Sequence, residues 1–219
     1  IQSIQRSEEY KKHYDLFIEM QTLIDKLGGG VIAEHVLLDE LTDDPIIRNH
    51  LYFLLVVGDP FYRGKENTDY NHRWFTERKV ADGVEKALKN VYATLSRDEL
   101  VSEHEIMNRL KNSLIDVVKQ EDEEVLRRWL LISKQIGRNP LGDWGPVDSP
   151  NVKVKGIRDY AYLAVKRHGS PMHFREVAES IDNLFKHKAH VATTHNELIK
   201  DKRFVLVGRG LYALSEWGY

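Results

Sequence analysis

Arg203-Phe204-Val205-Leu206-Val207-Gly208-Arg209-Gly210-Leu211-Tyr212-Ala213-Leu214-Ser215-Glu216-Trp217-Gly218-Tyr219 reads as a β-hairpin. Phe204, Leu206, Leu211 (or Tyr212) and Leu214 supply apolar β-formers on both sides of Gly208-Arg209-Gly210. Glycine enters the φ > 0 region without steric cost, so this tripeptide is a turn with a cation at its tip.

Immediately upstream, Ala192 to Lys200 has a helical pattern. With Thr194 and Leu198 inward at i and i+4, Thr193, His195, Asn196 and Lys200 point outward. A short helix followed by a basic hairpin is the reader and wing of a winged helix. Further back, Ile157, Tyr160, Ala161, Leu163 and Ala164 mark a helix ending at His168-Gly169. Pro171-Met172-His173-Phe174 takes a strand-entry position, and Val177, Ala178 and Ile181 give the inward face of a second helix.

The same order is legible twice more. Leu16, Met20, Leu23, Ile24 and Leu27 fall on a helix from Ser7 that Gly28-Gly29-Gly30 stops. Val31-Ile32 enters a strand, and Leu37, Leu38 and Leu41 line a second helix. Asp43 or Asp44 caps a third, with Pro45 in its first turn and Ile47, Leu51, Leu54 and Leu55 as its buried stripe. A strand, turn and strand follow through Phe61-Tyr62-Arg63 and His72-Arg73-Trp74-Phe75. In the middle, Val84, Leu88, Val91, Tyr92 and Leu95 mark a helix, and Leu100-Val101-Ser102-Glu103-His104 echoes Val31-Ile32-Ala33-Glu34-His35. Ile106, Met107 and Leu110 echo Leu37, Leu38 and Leu41, and a helix from about Asp122 to Gln135 follows. The Gly- and Pro-bearing run Gly137 to Trp144 reads against a hairpin, and Asp143 to Asn151 reads as a linker. His35, His104 and His173 take related places at helix starts, and Trp74, Trp144 and Trp217 fall near the end of each pass.

Internal recurrence outranks other fold signals. The expectation is therefore a mainly α chain with small β-hairpin wings, an α+β fold of tandem winged helix-turn-helix segments at 1–78, 79–150 and 151–219. Hydrophobic residues make up 42% of the chain, enough for buried cores, and no apolar run approaches the roughly 20 residues of a membrane span. Cysteine is absent, which excludes disulfides and thiolate metal sites and fits the cytoplasm. The chain opens on Ile1 and not Met, which reads as a fragment or a processed chain. Residues 151–219 carry 12 Lys and Arg against 7 Asp and Glu, a net +5 that leaves −7 on the first 150. A basic end suits phosphate and an acidic one suits a protein partner.

The last segment also resembles a known family. Gly169-Ser170-Pro171-Met172-His173-Phe174-Arg175-Glu176-Val177-Ala178, His195 through Gly210, and Tyr212 through Trp217 look like the HARE-HTH domain. That family includes the folded domain of the bacterial RNA polymerase delta subunit, domains of Asx-like chromatin proteins and parts of some restriction enzymes. The resemblance covers about 65 residues and implies a winged helix with a transcription or DNA-linked role, so DNA and RNA polymerase are the expected partners. In similar bacterial proteins such a domain follows a sigma-factor region 4; no region-4 helix-turn-helix is read in this sequence, and the resemblance implies at most its trailing edge at Ile1 to Arg6. The first two segments lack the family's wing pattern, and nothing functional is carried onto them.

In a winged helix the third helix enters the major groove and the wing reaches backbone or minor groove. Asn196 suits a bidentate contact to adenine, and Thr193 a base edge or phosphate. Lys200, Lys202, Arg203 and Arg209 face phosphate, with Lys186 and Lys188 upstream and His195 on the outward face. Glu197 and Asp201 interrupt that surface, which reads equally as a solvated mixed-charge face. Arg63, Lys65, His72 and Arg73 lie among Tyr62, Tyr70 and Trp74, a pattern that suits nucleic acid or an ordinary sheet. His187, His190 and His195 lack the companion ligands of a recognisable metal site, and no cofactor is expected. Phosphate-binding loop, nucleophile-elbow and zinc-protease motifs are all missing, so catalysis is not expected. The alternative to a DNA-binding regulator is a winged-helix module that docks a protein and never touches DNA.

Overall fold

The computed structural model of the chain describes residues 14–59, 61–114 and 122–219. It is mainly helical with small antiparallel sheets, an α+β fold. The residues gather into two compact units. Of the described residues, one unit holds those up to Leu95 and those between Ser102 and Gly137, and the other holds Ser96–Val101 with Arg138–Tyr219. The three-segment partition follows element order and these units follow packing, so the two divisions have different boundaries.

In the first unit α1 (Tyr14–Gly28) buries Phe17, Met20 and Ile24, and left-handed Gly29 and Gly30 end it where the sequence predicts. The helix start expected at Ser7, and the Ile1 to Arg6 stretch, lie outside the described residues. Strand β1 (Val31–Ala33) runs directly into α2 (Glu34–Leu41), then α3 (Pro45–Val57), β2 (Tyr62–Gly64) and β3 (Arg73–Phe75). The sheet order is β1-β3-β2. Asp44 caps α3 by accepting the Ile46 and Ile47 N–H groups at 2.7 and 3.3 Å. The buried stripe expected on α3 is not the one observed. Only Leu55 is buried, while Ile46, Ile47, Phe53 and Val56 are exposed by 66%, 48%, 61% and 49%. Apolar side chains surround most of this helix, so periodicity does not select a single inward face.

Three further helices complete that unit: α4 (Arg78–Ala93), α5 (Glu103–Ser113) and α6 (Glu123–Leu130). Their inward residues Val84, Leu88, Ile106, Leu110, Leu126 and Trp129 are at most 1% exposed. The Trp129 indole Nε1–H reaches the Gly28 and Val31 carbonyls at 2.7 and 3.2 Å, so α6 is bonded to the turn between α1 and β1. Helix α6 ends at Leu130 and not near Gln135. The Ser133 hydroxyl accepts the Gln135 and Ile136 N–H groups, which turns the chain out of the helix.

The chain enters the second unit through β4 (Ile136–Arg138), the first strand of a hairpin completed by β5 (Trp144–Pro146). This corrects the reading against a hairpin. Asn139 Oδ1 accepts the Leu141 and Asp143 N–H groups, and the Asn139 backbone N–H donates to the Asp143 carbonyl at 2.8 Å, so the turn is closed by side-chain and backbone bonds together. The supposed linker is structural as well. Ser149 is fully buried with its hydroxyl on the Arg97 carbonyl at 2.6 Å, and Asn151 bonds the Asp98 carbonyl.

Beyond it come α7 (Ile157–His168), β6 (Met172–His173), α8 (Phe174–Phe185), α9 (Val191–Lys200), β7 (Phe204–Gly208) and β8 (Leu211–Leu214). The expected terminal hairpin is present, and the sheet order is β6-β8-β7. Leu163, Val165, Val177, Ile181, Leu198, Tyr212 and Leu214 are among the residues of the core beneath it.

Helix, strand, helix, helix, strand, strand thus runs through the first and last segments, and the middle segment repeats it with the single bridge residue Val101 in the place of the first strand. Each time the first strand position pairs with the last: Ile32 with Trp74, Val101 with Trp144, and Met172 with Tyr212. The register corrects two correspondences. Tyr212, not Trp217, is the counterpart of Trp74 and Trp144; Trp217 lies in a 3₁₀ turn after β8. His173 is the N-cap of α8, in the place of Ala33 and Ser102, so it does not correspond to His35 and His104.

Candidate nucleic-acid interface

Helix α9 is amphipathic in the expected sense. Thr194 and Leu198 are 0% and 1% exposed, while Thr193, Asn196 and Lys200 face solvent. Ahead of it, the turn from α8 is held at three points. Phe185 and His187 both pack on the Tyr160 ring with centroids 4.9 Å away, and the Ala189 N–H donates to Asp182 Oδ1 at 2.5 Å. Lys186 takes the left-handed region at φ 50°, a conformation uncommon outside glycine. With the intervening residues anchored, Lys186 and Lys188 both project into solvent.

The hairpin tip is fixed against α8. The Phe174 N–H donates to the Gly210 carbonyl at 3.0 Å. Gly210 sits at φ 73°, and a Cβ there would come within 2.7 Å of His173 Nε2. Only glycine meets both conditions, and Arg209 is left exposed at the tip.

Two residues of the expected set are half-buried and make contacts within the fold. His195 is half-buried, its ring stacked on Phe174 at 4.1 Å and edge-on to Tyr212 at 5.9 Å, so it packs α9 onto the sheet. Arg203 donates from Nε and Nη2 to both oxygens of Asp201 and from Nη2 to Asp159 Oδ1 at 2.8 Å. Its guanidinium carbon also lies 4.8 Å from the Tyr162 ring centre. Burial works to lower the Arg203 pKa, yet the hydrogen bonds to Asp201 and Asp159 outweigh it and raise the pKa above its ordinary value. Burial likewise works to raise the Asp201 pKa, but the side-chain and backbone bonds from Arg203 hold it below the ordinary carboxylate value. The structure thus brings Thr193, Asn196 and Lys200 together on one helix face, with Lys186 and Lys188 ahead of it and Lys202 and Arg209 beyond it.

Sequence reasoning missed three cations that complete the basic surface. Lys153, Lys155 and Arg158 are exposed and line an open groove of about 540 Å³ with Lys200 and Lys202. The spacing Lys153-x-Lys155-x-x-Arg158 just before the apolar face of α7 was the available signal.

The corresponding places in the first unit differ. Arg63 makes two bonds to Glu34, at 2.8 and 3.0 Å, and Glu34 also accepts the Trp74 indole N–H at 2.9 Å. Arg73 is buried against Glu85 and the Tyr70 ring, and His72 faces Glu66 at 3.6 Å. Arg127 on α6 is tied to Glu103 and Glu124, and Arg128 to Glu40 at 3.1 Å. Of the two readings left open for the Arg63 and Arg73 hairpin, this geometry is that of an ordinary sheet. Among the described residues no group of three or more His, Asp or Glu gathers as metal ligands, and no helix is long and apolar enough to cross a membrane. No family model, curated protein or solved structure matches the chain.

Proposed function

We propose that this chain is a DNA-binding, transcription-associated protein of the cytoplasm, working with RNA polymerase and built from tandem winged helix-turn-helix segments. The recurring element order, with its first strand position paired to its last, supports that architecture. The HARE-HTH resemblance of residues 169–217 supports the transcription link. The proposed role is binding, without catalysis.

One observation carries the reading. The last segment presents Thr193, Asn196 and Lys200 on the outward face of its third helix, flanked by exposed Lys186, Lys188, Lys202 and Arg209. Polar side chains suited to base edges sit between cations suited to phosphate, which is the arrangement a groove-reading helix requires. His195 and Arg203 support that surface from beneath.

The test is duplex binding followed by fluorescence anisotropy at about 50 and 200 mM salt, where phosphate-driven affinity changes most visibly. Wild-type affinity is expected to fall steeply with salt. Lys202→Ala with Arg209→Ala should weaken binding and make the log–log slope shallower by about 1.8, or 0.9 per phosphate contact. A double variant with unchanged affinity would sink the assignment of these residues to DNA.

A second reading rests on a separate observation. Helix α3, the counterpart of α9 in the first segment, exposes Ile46, Ile47, Phe53 and Val56 where a DNA reader would be polar. This helix fits a protein-docking module, with polymerase as the candidate partner. Nuclease-treated pull-downs with RNA polymerase separate the readings. Retention that disappears with Phe53→Ser favours docking through α3, and loss of retention on nuclease treatment alone favours DNA.

A further inference from the structure

The groove beside α7 extends the DNA reading to residues outside the helix and hairpin. It is lined by Lys153 and Lys155 from the segment before α7, Arg158 from its first turn, and Lys200 and Lys202 from the end of α9. Three carboxylates also line it, but each is already engaged. Asp159 and Asp201 are both bonded to Arg203, and Asp159 Oδ2 additionally accepts the Lys155 backbone N–H at 2.8 Å. The third, Asp148, lies 3.3 Å from Arg97. Among the described residues Lys153, Lys155 and Lys202 have no carboxylate at ion-pair distance, Arg158 acts on Asp201 only through its charge, and Lys200 has only a loose 3.9 Å approach to Glu197. The groove is therefore electropositive, and its open shape with a charged lining suits a sugar–phosphate backbone better than an inserted base.

The position matters as much as the charge. Lys200 belongs to both surfaces: it lies on the α9 face with Asn196 and it lines the groove. Helix α9 has ten residues, which at 1.5 Å each makes it about 15 Å long. Lys186 and Lys188 precede its N-terminal end, and the groove adjoins its C-terminal end. That separation is comparable to the roughly 12 Å width of the DNA major groove. Cations at the two ends of a helix lying across that groove would meet the two strands that flank it.

We infer that the groove formed by Lys153, Lys155, Arg158, Lys200 and Lys202 binds the phosphate backbone of duplex DNA, clamping one strand while the α8–α9 turn meets the other. This inference rests on the DNA reading above, and its test separates the two. Lys153→Ala, Lys155→Ala and Arg158→Ala are combined in the full chain, with circular dichroism and thermal melting to confirm the fold. Duplex affinity should fall on the order of tenfold or more, and the salt slope should become shallower by about 2.7, three contacts at 0.9 each. Lys153→Arg combined with Lys155→Arg, with Arg158 retained, should keep wild-type affinity. If the triple variant keeps wild-type affinity and slope while Lys202→Ala with Arg209→Ala weakens binding, the groove inference is overturned and the DNA reading stands. If the wild-type chain binds no duplex at all, both fall. Polyglutamate serves as the competing probe: a triple variant that loses polyglutamate binding but keeps duplex binding would assign the groove to an acidic protein segment.

Discussion

Arg203 Nη2 donates to Asp159 Oδ1 at 2.8 Å, which ties the start of β7 to the first turn of α7. The bond explains why a residue that the sequence offers as a phosphate ligand acts inside the fold. Its planar guanidinium also meets Asp201 through two nitrogens and covers the Tyr162 ring, a geometry that lysine cannot reproduce.

Replacing Arg203 with Met should therefore destabilise the second unit and leave two neighbouring carboxylates without their cation. Removing one partner of a buried pair costs about 3–5 kcal/mol. The Arg203 side chain is 28% exposed, so roughly 1–3 kcal/mol is expected here. Urea denaturation monitored by tryptophan fluorescence measures it, and a loss within experimental error of zero would contradict the structural role.

The same pair sets an acid response. The Asp201 pKa is lowered in the fold, so its contribution is complete above the unfolded value of about 3.9 and is lost as pH falls through the lowered folded value. Stability of the second unit should decline as pH drops below about 4, and Arg203→Met should flatten that decline. Thermal melts from neutral to acid pH of both proteins supply the comparison.

Gly210→Ala should weaken the hairpin specifically. The position combines φ 73° with a Cβ approach of 2.7 Å to His173 Nε2. Backbone strain of this kind costs of order 1–3 kcal/mol. Amide exchange should rise first across residues 204–214, and unaltered exchange there would show that the tip tolerates a side chain.

Trp129→Phe tests the packing of the first unit. The substitution keeps an aromatic ring but leaves the Gly28 carbonyl without its 2.7 Å donor. A buried unsatisfied group costs about 1–3 kcal/mol. Chemical denaturation should show that loss in the first unit, whereas a neutral outcome would mean that the indole N–H contributes nothing.

Much of the fold was legible because its signals are local. Glycines after α1, the Asp44 cap and Pro45 on α3, and the apolar pairs at 37/38, 106/107 and 177/178 needed no tertiary information. What stayed hidden depends on neighbours distant in sequence. Asn139 closes a hairpin through its side chain, Ser149 and Asn151 bury a stretch rich in turn formers, and α3 is too uniformly apolar for periodicity to choose its inward face. The candidate site follows the same division. The outward face of α9 was readable from helical spacing, while the withdrawal of Arg203 by Asp159 and of His195 by Phe174 depends on residues 44 and 21 positions away. Lys153, Lys155 and Arg158 join the basic surface only once α7 lies beside the end of α9.

The measurement that tests the central claim most directly is a salt titration of wild-type affinity for duplex DNA. A linear fall of log affinity with log salt is predicted. Its slope should be about −4.5 or steeper, as expected when five or more phosphates are contacted at 0.9 each. Failure to bind duplex at about 50 mM salt, or an affinity indifferent to salt up to about 200 mM, would contradict the account.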